Sequence, residues 1–199
     1  ANSRLQAELS FLRSQISPHF MFNVLNSLVS LARKKSDLVE PVIISLSDLL
    51  RYMLYESDGA KVTLDKEVKY LRSYIDLQRL RFGNDVRVDL DLPNHLPGGT
   101  IEPMLLIPFV ENAFKHGVGL IADPYIVVRL LTTSTQLTFI VENKVPSGDH
   151  GPKDQASGIG LANVRRRLSL LYPDSHALNI HRTETTFRVD LTLHFKPVH

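Results

Sequence analysis

From the first residues, apolar positions fall at Leu5, Leu9, Leu12 and Ile16, spaced four, three and four apart in a narrow helical seam. Phe20, Val24, Leu28 and Leu31 continue it, so the spacing predicts one long helix. Within that run stands "PHFMFN", Pro18 to Asn23. A proline in a helix interior removes a backbone donor and crowds the preceding turn, at a cost of about 3 kcal/mol. Here it frees the Ser14 carbonyl and bends the helix beside His19, with Phe20 and Phe22 expected to anchor the bent segment in the core. Ala32 to Pro41 breaks the period with charge and a proline and reads as a connection. Val42, Ile43, Leu46, Leu49, Leu50, Met53 and Leu54 form a second apolar helical face. Two such helices predict an antiparallel hairpin, and two seams that one hairpin cannot hide predict dimerisation into a four-helix bundle.

The period then shifts. Glu56 to Lys61 reads as a turn, and Thr63 is a candidate cap for a helix from Leu64 to Phe82. "VRVDLDL", Val86 to Leu92, alternates with period two and predicts a strand. Pro103 to Lys115 reads as an apolar helix closed by Gly117. "YIVVRLL" and "LTFIVEN" predict a strand hairpin, Pro146 to Ser157 a polar mobile loop, and Gly160 to Tyr172 a helix. "LNIHR" and "TFRVDLTLHF" close the chain as two strands. The expected class is α+β: a helical unit over 1–60, then a unit over 61–199 with helices on one face of a mixed sheet, residues 64–82 serving as connector.

Composition narrows this picture. The 199 residues are 43% hydrophobic, enough for a real core and too apolar for a disordered chain. A formal net charge of +2 gives no bulk field for nucleic acid. Absence of cysteine excludes disulfides and thiol chemistry. No signal peptide or long apolar run is visible, and the chain opens on Ala1, which fits a piece of a longer protein with any membrane segment elsewhere.

Three stretches carry candidate chemistry. The first is the proline-marked segment around His19. In the second, "PFVENAFKHG", Asn112, Lys115 and His116 share one helical face; an amide oxygen suits Mg²⁺ and an ammonium suits phosphate. A solvated helix end is the bland alternative, and the commoner one for such residues taken alone. In the third, "SGIGLANVRRRL", glycines two apart before a helix let a backbone approach an anion, although such pairs more often mark simple turns.

In this order, the three stretches resemble the LytS/YehU-like family of sensor histidine kinases over nearly the whole chain. "LRSQISPHFMFNVLNSL" looks like its phosphoacceptor box, "LLIPFVENAFKHG" like the N box of its GHKL-type ATP-binding domain, and "SGIGLANVRRRL" like its glycine box. The resemblance implies a GHKL-type α/β sandwich, His19 as the phosphorylated histidine, and Asn112 as a contact to Mg²⁺. It implies Lys115 and His116 at the nucleotide or its phosphates, and Gly158, Gly160, Leu161 and Asn163 along the triphosphate under a lid formed by Pro146 to Ser157. Asn143 stands where the family carries an adenine-binding aspartate in Asp-Asn-Gly-x-Gly, here "ENKVPSG". No acidic residue follows His19, which leaves Glu111 as a candidate base. The implied cofactors are ATP and Mg²⁺. The implied partners are a second copy of the chain and a response regulator, a DNA-binding one included, with no direct nucleic-acid contact. The implied location is the cytoplasmic region of a membrane sensor. A non-catalytic dimeric scaffold with a degraded nucleotide site is the alternative, and a conformational ATPase, which needs no acceptor histidine, a third class.

Overall fold

The computed structural model describes residues 18–55, 61–119, 121–146 and 159–195. Helix α1 spans Pro18–Arg33 and α2 spans Val39–Tyr55. The long seam before Pro18, and with it the bend, lies outside the described residues. Pro41 lies in the first turns of α2, where a missing amide costs little, so the connection is shorter than its charge and proline indicate. Phe20, Val24, Val42, Leu46, Leu49 and Tyr52 are buried within the chain. Phe22 is not the core anchor its neighbour is: it is 65% exposed, because only Phe20 lies on the inward stripe. Leu25, Val29, Ile43 and Ile44 are exposed with it.

Strand β1 (Val62–Thr63) leads into helix α3 (Leu64–Phe82), whose cap is Thr63: its side chain accepts from the Lys66 amide at 3.4 Å. Gly83 ends the helix at φ 55°, a conformation that glycine adopts without strain. Helix α3 packs on α1, on α2 and on the unit that follows. Phe20 of α1 lies against Tyr74 with ring centroids 4.6 Å apart, and Tyr52 of α2 stacks on Tyr70 at 4.3 Å.

Strands β2 (Arg87–Asp91), β4 (Tyr125–Thr132), β5 (Gln136–Lys144), β6 (His176–Arg182) and β7 (Thr186–His194) form one sheet in the order β2-β4-β5-β7-β6. The β2–β4 pair is parallel and the other pairs antiparallel, so the sheet is mixed as expected. The short β3 (Thr100–Ile101) pairs with β1; both were too short for a period to reveal them. Period-two alternation sends Ile126, Val128, Leu130, Leu137, Phe139, Val141, Val189 and Leu191 into the core. There helices α4 (Ile107–His116) and α5 (Ile159–Leu171) cover one face of the sheet and pack on each other. The opposite face carries Tyr125, Glu142, Arg188 and Asp190.

Candidate functional site

Helix α4 starts at Ile107, four residues later than its apolar run indicates. The lead-in is held from outside the helix: Met104 has φ 59°, and the amides of Met104, Leu105 and Leu106 donate to a side chain from another helix. Phe109, Val110, Ala113 and Phe114 are buried against the sheet and its neighbours. That orientation leaves Asn112 half-buried and Lys115 and His116 exposed at the helix end, on one face as their spacing requires. Glu111 is half-buried on the same helix, close enough to raise the hydroxyls of Tyr70 and Tyr74 electrostatically, each of which burial already pushes upward.

Gly117 ends α4, its amide donating to the Ala113 carbonyl at 2.7 Å. Here a glycine is required by space. A Cβ would lie 2.5 Å from the Ala113 oxygen and 2.7 Å from Cβ of Asn143. The end of α4 and the end of β5 are therefore in direct contact through this residue. Asn143 is only 1% exposed, and its Nδ2 donates to the Lys144 carbonyl at 2.8 Å. With its amide group so engaged, the residue has its carbonyl oxygen left to accept a donor. Lys144 is held off to one side, its ammonium donating to the carbonyls of Ala122 and Asp123.

Helix α5 supplies the remaining motif. Gly160 is exposed in its first turn, and a Cβ there would meet nothing within 4 Å. An anion can approach the first amides of a helix, which lack intrahelical partners. Leu161 is buried and is a packing residue; Asn163 is half-buried. Gly158 and the loop Ser147 to Ser157 lie outside the described residues. His19 belongs to the first turn of α1, and its side chain is also outside them; its neighbour Phe20 is fixed against Tyr74 of α3.

Among the described residues three charged side chains, Glu67, Glu102 and Arg167, are buried, and the sequence reading missed all three. Glu67 of α3 is fully buried and accepts four hydrogen bonds. Its Oε2 takes the Tyr52 hydroxyl at 2.6 Å and the Met104 amide at 3.0 Å; its Oε1 takes the amides of Leu105 at 3.0 Å and Leu106 at 3.2 Å. Arg167 of α5, 2% exposed, donates to the carbonyls of Met104 at 2.9 Å and Pro103 at 2.7 Å. Burial pushes the Glu67 carboxyl up from its ordinary value, while the donors around it and the Arg167 charge pull it back. The signal was present: Glu67 falls in register with Leu64 and Leu71, and Arg167 with Val164, so each interrupts an apolar face.

The residues fit a magnesium nucleotide. A neutral acceptor at Asn143, an amide and a cation on the outer face of α4, and an open glycine turn on α5 all belong to the helix-covered side of the sheet. Among the described residues no three His, Cys, Asp or Glu side chains form a metal cluster. A cation held mainly by phosphates needs no such cluster; Asn112 supplies an oxygen of the right kind. A cavity of about 300 Å³ lies elsewhere, between α2 and α3, with Tyr52 and Tyr70 in its wall.

A family model described as histidine kinase matches residues 7–86. The chain is 28% identical over 176 residues to the sensor histidine kinase BtsS of Escherichia coli, covering 88% of this chain and 31% of that protein. It is 32% identical over 189 residues to the sensor histidine kinase YpdA of the same species, covering 90% and 33%. It is 26% identical over 204 residues to the sensor protein LytS of Oceanobacillus iheyensis, covering 96% and 35%. The chain thus spans about a third of the length of the curated relatives it matches. Among solved structures, the histidine kinase domain of the Erythrobacter litoralis EL346 blue-light activated histidine kinase aligns with a TM-score of 0.51 at 19% identity. That alignment covers 96% of this chain and 95% of the other, and it shows a shared fold.

Proposed function

We propose, from the premise that this chain belongs to the histidine kinase family, that it binds Mg-ATP at α4, β5 and α5 and directs a phosphoryl group to His19. The observation that carries this reading is the contact of Gly117 with Asn143, which joins two motifs 26 positions apart (143 − 117) into one site. Bound Mg-ATP supplies the phosphoryl group and a counter-charge for it. The side chains do the rest. Asn143 offers its oxygen to the exocyclic amino group of the base while Lys144 holds the amide group in place. Asn112 directs an oxygen to the metal, and Lys115 and His116 steady the phosphates. The first amides of α5, around Gly160 and Asn163, receive the triphosphate. The imidazole of His19 is the nucleophile in this account, since a histidine side chain can form a covalent phosphoryl intermediate. Glu111 is the candidate base. Catalysis of this kind is positioning and charge neutralisation.

Residues 1–60 are the dimerising, acceptor-bearing unit in this account, and 61–199 the nucleotide unit, with α3 packed on both. The exposed Phe22, Leu25 and Val29 of α1 and Ile43 and Ile44 of α2 support a two-chain four-helix bundle. Ile43 belongs to the second apolar face, but Val42, Leu46 and Leu49 of that face are consumed inside the chain. The downstream acceptor is an aspartate of a response regulator, and the nucleotide site faces the cytoplasm. Among the described residues no helix is long and apolar enough to cross a membrane. A neutral Asn143 in place of a carboxylate favours one second reading, a dimeric switch that binds nucleotide weakly. Calorimetric titration with Mg-ATP tests the site. Asn112→Ala and Lys115→Ala are each expected to weaken binding about ten- to a hundredfold, the loss of one bond to a charged group. Unchanged affinity in both sinks the assignment.

A further inference from the structure

We infer that Glu67 is a positioning residue for the nucleotide helix α4, and that Tyr52 makes that position depend on how helix α2 is seated. The inference rests on the assignment of α4 to the nucleotide site. The first amides of any helix lack intrahelical partners, and Leu106, at the cap of α4, supplies no side-chain acceptor. Glu67 supplies one from another helix. Its two oxygens hold three consecutive amides, Met104 to Leu106, while Arg167 holds the carbonyls of Pro103 and Met104. The lead-in to α4 is thereby fixed on both edges of its backbone, and Met104 keeps a left-handed conformation that a non-glycine residue rarely adopts. Helix α4 has only ten residues, so its start sets where Asn112 and Lys115 stand.

The fourth donor to Glu67 does not come from the nucleotide unit. It is the Tyr52 hydroxyl, at 2.6 Å, from α2 of the hairpin whose other helix carries His19. One buried carboxylate is thus shared between the seating of α2 and the placement of α4. The neighbouring Tyr70 gives an internal control. It stacks on Tyr52 and is as deeply buried, yet its hydroxyl has no hydrogen-bond partner among the described residues.

The test compares the 199-residue chain with its Tyr52→Phe, Tyr70→Phe and Glu67→Gln variants. Amide hydrogen exchange is read at Met104, Leu105 and Leu106 against β5 and β7, with Mg-ATP titration alongside. Tyr52→Phe is expected to speed exchange at the three amides, and to weaken Mg-ATP, each by about threefold. Glu67→Gln, which sets an amide NH₂ against backbone N–H groups, is expected to do both by about tenfold or more. Tyr70→Phe is expected to match the parent. If Glu67→Gln fails to fold, Tyr52→Phe decides. Parent-like exchange at the three amides in Tyr52→Phe, or an equal rise across β5 and β7, overturns the inference. A parent chain that binds no Mg-ATP overturns the functional reading instead, and the exchange rates still decide whether Tyr52 and Glu67 hold the start of α4.

Discussion

Gly117 and Asn143 show how much a single contact decides at the scale of the residue. Gly117→Ala places a methyl group 2.5 Å from the Ala113 carbonyl and 2.9 Å from Nδ2 of Asn143, and neither backbone nor buried amide can yield cheaply. Overpacking of this kind costs about 1–3 kcal/mol, so the variant is expected to unfold at lower temperature and to lose Mg-ATP affinity with it. Asn143→Asp removes the 2.8 Å donation to the Lys144 carbonyl and turns a carboxylate oxygen toward that carbonyl. We expect denaturant unfolding to register a loss of about 1–2 kcal/mol. The sequence marked both positions by motif. It could not reveal that Gly117 is a packing glycine, because "KHG" alone reads as a helix cap.

At the scale of the element, periodicity located α3, the β4–β5 hairpin, β6 and β7 closely, because each buries one continuous face against a neighbour. It misplaced the start of α4. The run from Pro103 is apolar enough to be helical, yet its amides are captured by Glu67 and its carbonyls by Arg167. A capture from two other helices has no local signature beyond a charge on an apolar face. Of the consecutive Arg165, Arg166 and Arg167, the structure exposes the first two and buries the third. Arg167→Ala leaves two buried carbonyls without these donors and deprives Glu67 of its nearby positive charge. A loss of about 3 kcal/mol or more is expected from equilibrium unfolding, against less than about 0.5 for Arg166→Ala on the surface.

For the whole molecule, the account joins an acceptor hairpin to a nucleotide unit through α3, and two such chains through the outer face of α1 and α2. The expectation of a dimer rests on an excess of apolar surface in the sequence, which does not say which residues would carry it. Only the structure separates Phe22, Leu25 and Val29, which remain exposed, from Phe20 and Val24, which fill the chain's own core. Leu25→Glu with Val29→Glu is therefore expected to turn a dimer into a monomer in sedimentation at tens of micromolar (about the range in which weak interfaces dissociate), whereas a parent already monomeric there refutes the bundle. Phosphoryl transfer to His19 is measured with γ-labelled Mg-ATP. Label that is stable to base and lost in acid is expected in the parent and not in His19→Ala, with Mg-ATP affinity alike in both. Label retained by His19→Ala, or none in a parent that binds Mg-ATP, would contradict it.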